Sequence, residues 1–213
     1  MATAHPAAQA GVHPGRIEVI TGPMFSGKSE ELIRRLKRAQ LAKRRVACFN
    51  PDLDVRYHRN AIASHSAQML EAATVANLEE LKAVLMPMID VIEVVGIDEA
   101  QFFDDSLVSL ANELVRLGHR VIVAGLDTTF AGEPFPPMPA LMAIADEVIK
   151  LSAVCMQCGA PAIHTQRLGS DQSLVLVGAA GVYEARCRAC FRPWVDEHAT
   201  EQLELPVSAG TRL

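Results

Sequence analysis

No stretch of the chain holds 18 or more consecutive apolar residues, the length a helix needs to cross a bilayer, although half of the 213 residues are apolar. The amino terminus, M-A-T-A-H-P, lacks the basic-then-apolar order of a secretory signal. A positive balance is missing too. Lys and Arg number 20 against 25 Asp and Glu, a net charge of −5 with a pI near 5.8. Proteins whose main partner is a phosphate backbone carry a basic surface, so nucleic acid is not expected as that partner. Cysteine is scarce, with only five in the chain, and four of these fall in two C-x-x-C pairs. Such spacing suits a metal in a reducing compartment better than disulfides. These absences leave a cytoplasmic protein of one or two domains, long enough to bury a real core.

What is present begins at Ile17. The β-branched run Ile17 to Thr21 reads as a buried strand, and a helical pattern with Leu32, Ile33 and Leu36 on one side follows from Gly27. Between them stand Gly22, Pro23, Met24, Phe25, Ser26, Gly27, Lys28 and Ser29, a G-x-x-x-x-G-K-[ST] phosphate loop in strand–loop–helix context. The glycines let the backbone wrap a phosphate chain, so successive N–H groups and the helix start face the anion. Lys28 adds a point charge for the β- and γ-phosphates, and the Ser29 hydroxyl can hold Mg²⁺. A glycine-containing turn that binds nothing is the bland alternative. The motif implies a nucleotide, not its use.

A helix is expected to about Arg44, carrying Arg34, Arg35, Lys37, Arg38, Lys43, Arg44 and Arg45. These form either a solvated helix face, the favoured reading, or a nucleic-acid patch. Val46 to Phe49 is a strand, with Cys48 a small core residue. Beyond it Asp54, Arg56 and Tyr57 lie close together past a strand end, where ligands bind in parallel α/β sheets. Arg56 is a candidate to stabilise charge on a transferring phosphoryl group; a surface ion pair with Asp54 is the alternative. Asn77 and Glu80 form a capping box for the next helix. Val91 to Ile97 is a strand that runs into Asp98-Glu99, as in a Walker-B element, with Asp98 toward Mg²⁺ and Glu99 toward the reacting group. Phe102 and Phe103 could stack on a base or belong to the core. A helix from Asp105 to Leu117 stops at Gly118. A strand at Arg120–Leu126, a proline-stiffened loop from Phe130 to Pro139, a short helix at Leu141–Ala145 and a strand at Glu147–Leu151 follow. Alternating strands and helices imply a parallel sheet with right-handed crossovers.

The texture changes at Cys155. Cys155 and Cys158 form one knuckle, Cys187 and Cys190 another, around strand-like segments at Ile163–Leu168, Leu174–Val177 and Val182–Arg186. Four thiolates close a tetrahedral zinc site that is structural, because no coordination position is left open. A small turn-rich unit needs such a staple. No thioredoxin-like pattern supports the alternative of redox-active pairs. The expected organisation is a disordered arm over 1–15, where His5 and His13 are simply solvated, an ATP-binding domain over 16–151, a zinc domain over 152–194 and a flexible tail over 195–213.

G-P-M-F-S-G-K-S-E-E-L, D-V-R-Y, I-D-E-A-Q-F-F, L-D-T-T-F and C-x-x-C…Y-E-A-R-C-x-x-C, in this order, resemble the type II thymidine kinase family across residues 16–192. The resemblance implies a RecA-like α/β P-loop domain, its parallel sheet flanked by helices, and a zinc-ribbon-like domain with a lasso loop. It also implies transfer of the γ-phosphoryl group of ATP to the 5′-hydroxyl of thymidine or deoxyuridine with Mg²⁺, inhibition by thymidine triphosphate, and a homotetramer. By motif, Glu99 is the general base and Gln101 lies beside it in the ATP-binding group. Phe102 packs beside the thymine, Met24, Leu126 and Thr165 line the pocket around its methyl group, and Arg56 contacts phosphate. The lasso runs from Arg167 to Tyr183, and Tyr183 contacts the nucleoside. The family's frequent G-G-A-D-K-Y reads G-A-A-G-V-Y here. Leu174 to Val182 is wholly apolar or glycine, so Leu174, Leu176, Val177 and Gly178 are expected to read the base through backbone groups.

Two readings compete. A P-loop ATPase with a zinc-ribbon nucleic-acid arm would need a basic, aromatic-studded zinc region, and this one has few aromatics. A nucleotide sensor without catalysis has no need of Glu99.

Overall fold

A computed structural model of the chain describes residues 14–52, 61–63, 69–169 and 181–193. Calls on His5, His13, Asp54, Arg56, Tyr57, Leu174, Leu176, Val177, Gly178 and the tail fall outside these residues.

In chain order the elements are β1 (Arg16–Thr21), α1 (Lys28–Leu41), β2 (Val46–Pro51), β3 (Ala61–Ala63), β4 (Met69–Glu71), β5 (Ala73–Val75), α2 (Leu78–Leu85), β6 (Val94–Ile97), α3 (Ser106–Arg116), β7 (Arg120–Gly125), α4 (Met138–Ile144) and β8 (Glu147–Lys150). After them come β9 (Ala153–Val154), β10 (Pro161–Ala162), β11 (His164–Arg167) and β12 (Tyr183–Arg186). Six strands form one parallel sheet in the order β5-β2-β6-β7-β1-β8. Alternation along each strand divides the core. Ile17, Val19, Val95, Ile97, Val121 and Val123 meet α2, α3 and α4 on one face, while Ile20, Ile122, Ala124 and Cys48 meet Leu32, Ile33 and Leu36 of α1 on the other. With both faces covered, β7 reads as a nearly continuous apolar run. The close seat of α1 depends on Gly96, where a Cβ would stand 2.6 Å from a Leu36 methyl.

Several boundaries differ from the sequence reading. Helix α1 ends three residues early because Lys43 takes a left-handed conformation (φ 61), so that the amides of Lys43 and Arg44 close onto the carbonyls of Gln40 and Ala39. This is a glycine-type helix ending made with lysine. Strand β6 starts at Val94, since Ile89, Val91 and Ile92 belong to the turn that follows α2. Helix α4 starts at Met138. Strands β4 and β5 were not anticipated; β5 forms an edge of the sheet beside β2. The capping box at α2 is present in altered form. The Asn77 side chain accepts from the Glu80 amide at 3.0 Å, but the Glu80 carboxylate reaches back to the amide of Ala76 at 2.7 Å.

The solvated-face reading of the basic helix needs correction at Arg35. Glu18, in the middle of β1, is wholly buried and binds Arg35 at 2.6 Å and Arg120 at 2.6 Å; Arg16 also reaches it. Arg35 continues to Glu31 and Glu147, so it joins α1, β1 and β8. Farther along, Arg44 pairs with Glu93, and Arg45 donates to Glu93 and to the Val91 carbonyl. Burial alone would raise the Glu18 carboxyl, but hydrogen bonds from Arg120 and Arg35 and the charges of Arg120 and Arg16 hold it below the usual carboxylate range.

Strands β9 and β10 pair, as do β11 and β12, and with the cysteines they enclose a small core of Ala153, Ala162 and Ala185. No helix among the described residues is long and apolar enough to cross a membrane.

Candidate active site

The phosphate loop leaves β1 at the carboxyl end of the sheet. Gly22 (φ 139) and Gly27 (φ 83) occupy backbone conformations closed to most side chains. Gly22 also lies against Leu151, whose carbonyl oxygen would stand 2.4 Å from any Cβ there. Inside the loop the Pro23 carbonyl accepts from Ser26 Oγ at 2.8 Å and from Lys28 Nζ at 2.9 Å. Lys28 opens α1 and is buried; burial lowers its pKa, while the charges of Glu99, Asp98 and Asp127 oppose that shift. Phe25 is exposed.

Opposite the loop, β6 delivers the carboxylate pair. Asp98 is buried and takes the Glu99 amide at 3.0 Å, and the Ser29 side chain favours its charged form. Burial, then the neighbouring Glu99 charge, push its pKa upward. Glu99 itself sits half-buried with φ 49, a left-handed conformation rare outside glycine and asparagine. Its Oε2 accepts from Gln101 Nε2 at 2.6 Å, and Gln101 Oε1 accepts the Leu126 amide at 2.9 Å. Gln101 therefore ties Glu99 to the tip of β7, a buried support that the sequence had grouped only with the ATP-binding residues. Asp127, also buried, pairs with Lys150 at the tip of β8, and its Oδ1 has no partner among the described residues.

The part that carries the four cysteines touches this site directly. The Met24 amide donates to Thr165 Oγ1 at 3.0 Å, although 141 positions separate them. Thr165 is buried, as is Arg167 two residues along the same strand face. The Arg167 guanidinium lies 3.8 Å from the Phe130 ring centre and donates to the Tyr183 hydroxyl. Phe102 is half-buried and meets Phe135 edge-to-face at 6.2 Å, whereas Phe103 belongs to the core. Thus Met24 and Thr165 are brought into contact, Leu126 and Glu99 are joined through Gln101, and Tyr183 is held by Arg167. Arg167, Phe130, Phe135 and Asp127 were not singled out as site residues. For Phe130 and Asp127 the available signal was the L-D-T-T-F run at the end of a strand.

The four cysteine sulfurs all lie within 4.8 Å of one another, and those of Cys158 and Cys187 are 3.6 Å apart. Zinc–sulfur bonds of about 2.3 Å in a tetrahedron need sulfurs about 3.8 Å apart, so the set fits zinc. The knuckle amides support thiolate character. Those of Cys187, Gln157 and Cys158 lower the Cys155 pKa to about 6, and that of Cys190 leads the lowering at Cys187. Thiol–thiol contact with Cys158 pushes Cys190 up to about 12.

A phosphate loop on β1, a carboxylate pair at the end of β6 and β7 between them define a P-loop nucleotide-binding fold of the phosphoryl-transfer type. The family description "Thymidine kinase" matches residues 15–191. A thymidine kinase of Rhodothermus sp. (strain ITI 518) is 49% identical over 197 residues, which cover 92% of this chain and 90% of that one. The chain belongs to the thymidine kinase family.

Proposed function

We propose that this chain transfers the γ-phosphoryl group of ATP to the 5′-hydroxyl of thymidine or deoxyuridine, giving the monophosphate and ADP in deoxynucleotide salvage. The observation that supports it most is the bracing of Glu99 through Gln101 to the tip of β7, beside a phosphate loop whose Lys28 is folded onto the Pro23 carbonyl. A sensor without catalysis has no use for that brace. Residues Gly22 to Ser29 wrap the triphosphate, with Lys28 on the β- and γ-oxygens as charge builds there. Ser29 and Asp98, whose side chains interact, are the residues that would hold Mg²⁺. When bound, that ion neutralises charge on the β- and γ-oxygens. Glu99 takes the proton of the 5′-hydroxyl as the 5′-oxygen–phosphorus bond forms and the bond to the β-phosphate oxygen breaks. Met24, Leu126, Thr165, Phe102 and Tyr183 surround the nucleoside, and Arg56 contributes to phosphate charge. The four cysteines hold structural zinc and make residues 152–194 a unit distinct from 16–151.

Arg35 and Arg44 pair with carboxylates and the Arg45 side chain donates to the Val91 carbonyl, which weighs against the nucleic-acid ATPase reading, because these three belong to its basic patch. Feedback inhibition by thymidine triphosphate, a homotetramer and a cytoplasmic location complete the reading. Thymidine and Mg·ATP incubated with the protein should yield thymidine monophosphate. ATP hydrolysis stimulated by DNA or RNA without that product would overturn it.

A further inference from the structure

We propose that Arg167 is a positioning residue for nucleoside recognition: it fixes the Tyr183 side chain and makes its hydroxyl an obligate donor to an oxygen lone pair of the nucleoside. The inference rests on the functional reading above in placing the nucleoside against Tyr183.

Arg167 ends β11 and Tyr183 opens β12, and the two stand opposite each other across that antiparallel pair. One residue on, the Leu168 amide closes the pair onto the Val182 carbonyl at 2.9 Å. Directly opposed residues bring their side chains together, and here the guanidinium donates to the phenol oxygen. The same guanidinium lies 3.8 Å from the Phe130 ring centre and 5.1 Å from that of Tyr183. Phe130 is itself firmly placed. Its turn is closed by the Thr129 amide on the Glu133 carbonyl at 2.8 Å and by the Phe135 amide on the Asp127 carbonyl at 3.0 Å. Arg167 is 6% exposed, and a cation over an aromatic face is held most strongly when water is excluded. One side chain thus ties β11, β12 and the turn after β7 together.

A guanidinium carries donors and no acceptor. It cannot take the phenol proton, so Tyr183, while accepting from Arg167, keeps its own O–H for another partner. Among the described residues no acceptor takes that proton. A nucleoside offers suitable lone pairs on its base carbonyls and on its sugar hydroxyl. Arg167 therefore sets the sign of the contact: an acceptor atom beside Tyr183 is bound, and a donor there is left unpaired.

The test is calorimetric binding of thymidine to the full chain, purified with zinc. Arg167→Met and Tyr183→Phe should each weaken thymidine about three- to thirtyfold, the range for one lost hydrogen bond. The double variant should lie within about twofold of the weaker single one, because Arg167 acts through the Tyr183 hydroxyl. Arg167→Lys, still a cation without an acceptor, should bind within about threefold of the unaltered protein. Arg167→Gln, whose amide oxygen can take the phenol proton, should lose as much as the methionine variant. Binding of 3′-deoxythymidine, 2-thiothymidine and 4-thiothymidine separates a sugar from a base acceptor. The analogue that lacks the recognised oxygen should bind weakly to the unaltered protein and lose nothing further in Tyr183→Phe. Zinc content, melting temperature and Mg·ADP binding verify that the variants are folded, and glutamine replaces methionine should that variant fail to fold. Thymidine binding within twofold of normal in the methionine or glutamine variant would overturn the proposal, as would losses that multiply in the double variant. Failure of thymidine to bind the unaltered protein would instead overturn the functional reading.

Discussion

Replacing Gln101 by leucine tests how the carboxylate proposed as general base is held. The glutamine is 4% exposed and bridges two groups, Glu99 Oε2 at 2.6 Å and the Leu126 amide at 2.9 Å. Its oxygen also fills space beside Gly125, where a Cβ would come within 2.8 Å. Gln101→Leu keeps most of the volume and removes both bonds. A hydrogen bond to a charged group contributes about 1.5–3 kcal/mol, and stranding the Leu126 amide costs about 1–3 kcal/mol. Glu99 is half-buried and regains some water, so a net loss of about 2–4 kcal/mol is expected. At about 2–4 °C per kcal/mol for a chain of this size, the melting temperature should fall by about 4–16 °C. A general base supplies about 10²–10⁴-fold, and a base free to swing should forfeit tenfold to a hundredfold of it in kcat. The loss should fall on kcat more than on the KM for thymidine, because Leu126, assigned to the base pocket, loses only the partner of its amide. Initial rates of thymidine monophosphate formation, at temperatures well below the variant's melting point, separate the two effects. A variant with kcat within twofold of the unaltered enzyme would refute the bracing argument, whatever its stability.

Lys28→Ala should lower kcat by at least about a hundredfold, as removal of a donor from a charge-stabilising site does, with a melting shift under about 4 °C; near-normal turnover would remove Lys28 from the mechanism. Cys158→Ser should release zinc, measured by atomic absorption, while the nucleotide still binds; full zinc occupancy would exclude the four-thiolate site. Glu18→Gln should destabilise the fold by about 3–5 kcal/mol, because it leaves buried Arg35 without one of its carboxylates. The pH dependence follows from carboxyls held low in the folded state, Glu18 by Arg120 and Arg35 against its burial, and Glu31 at about 2, led by its bond from Arg34. Their contribution is complete above the unfolded value near 4.5 and is lost as pH falls toward 2, so urea midpoints should decline across that window. The decline should be shallower in Glu18→Gln, and an unchanged slope would assign it to other groups.

The elements legible in the sequence were those whose chemistry is local. The phosphate loop needs glycines at fixed places, a buried strand ending in Asp98-Glu99 needs only apolar residues before it, and two C-x-x-C pairs announce their own closure. The Asn77 cap was readable for the same reason. What escaped depends on distant partners. Glu18 stands within an apolar strand, and nothing near it in sequence signals that Arg35 and Arg120 would meet it there. The bond from Met24 to Thr165 and the seat of Arg167 on Phe130 join segments read as separate domains. The end of α1 was misplaced because the left-handed residue that stops it is Lys43, not the glycine such an ending favours.

The placement of β1 has a consequence for the order in which the protein can be made. This strand, which carries the phosphate loop, leaves the ribosome among the first elements, yet its two neighbours are β7 and β8. Thr21 and Gly125, bonded across that first pairing, are 104 residues apart. At about 5–20 residues per second, β1 waits on the order of 5–20 seconds for its first partner and longer for its second. Throughout that interval Ile17, Val19 and Ile20 have no sheet to enter, and α1 has only part of the surface it covers. A nascent chain halted before Gly125 therefore holds the complete sequence of a nucleotide-binding loop without the strands that flank it in the sheet.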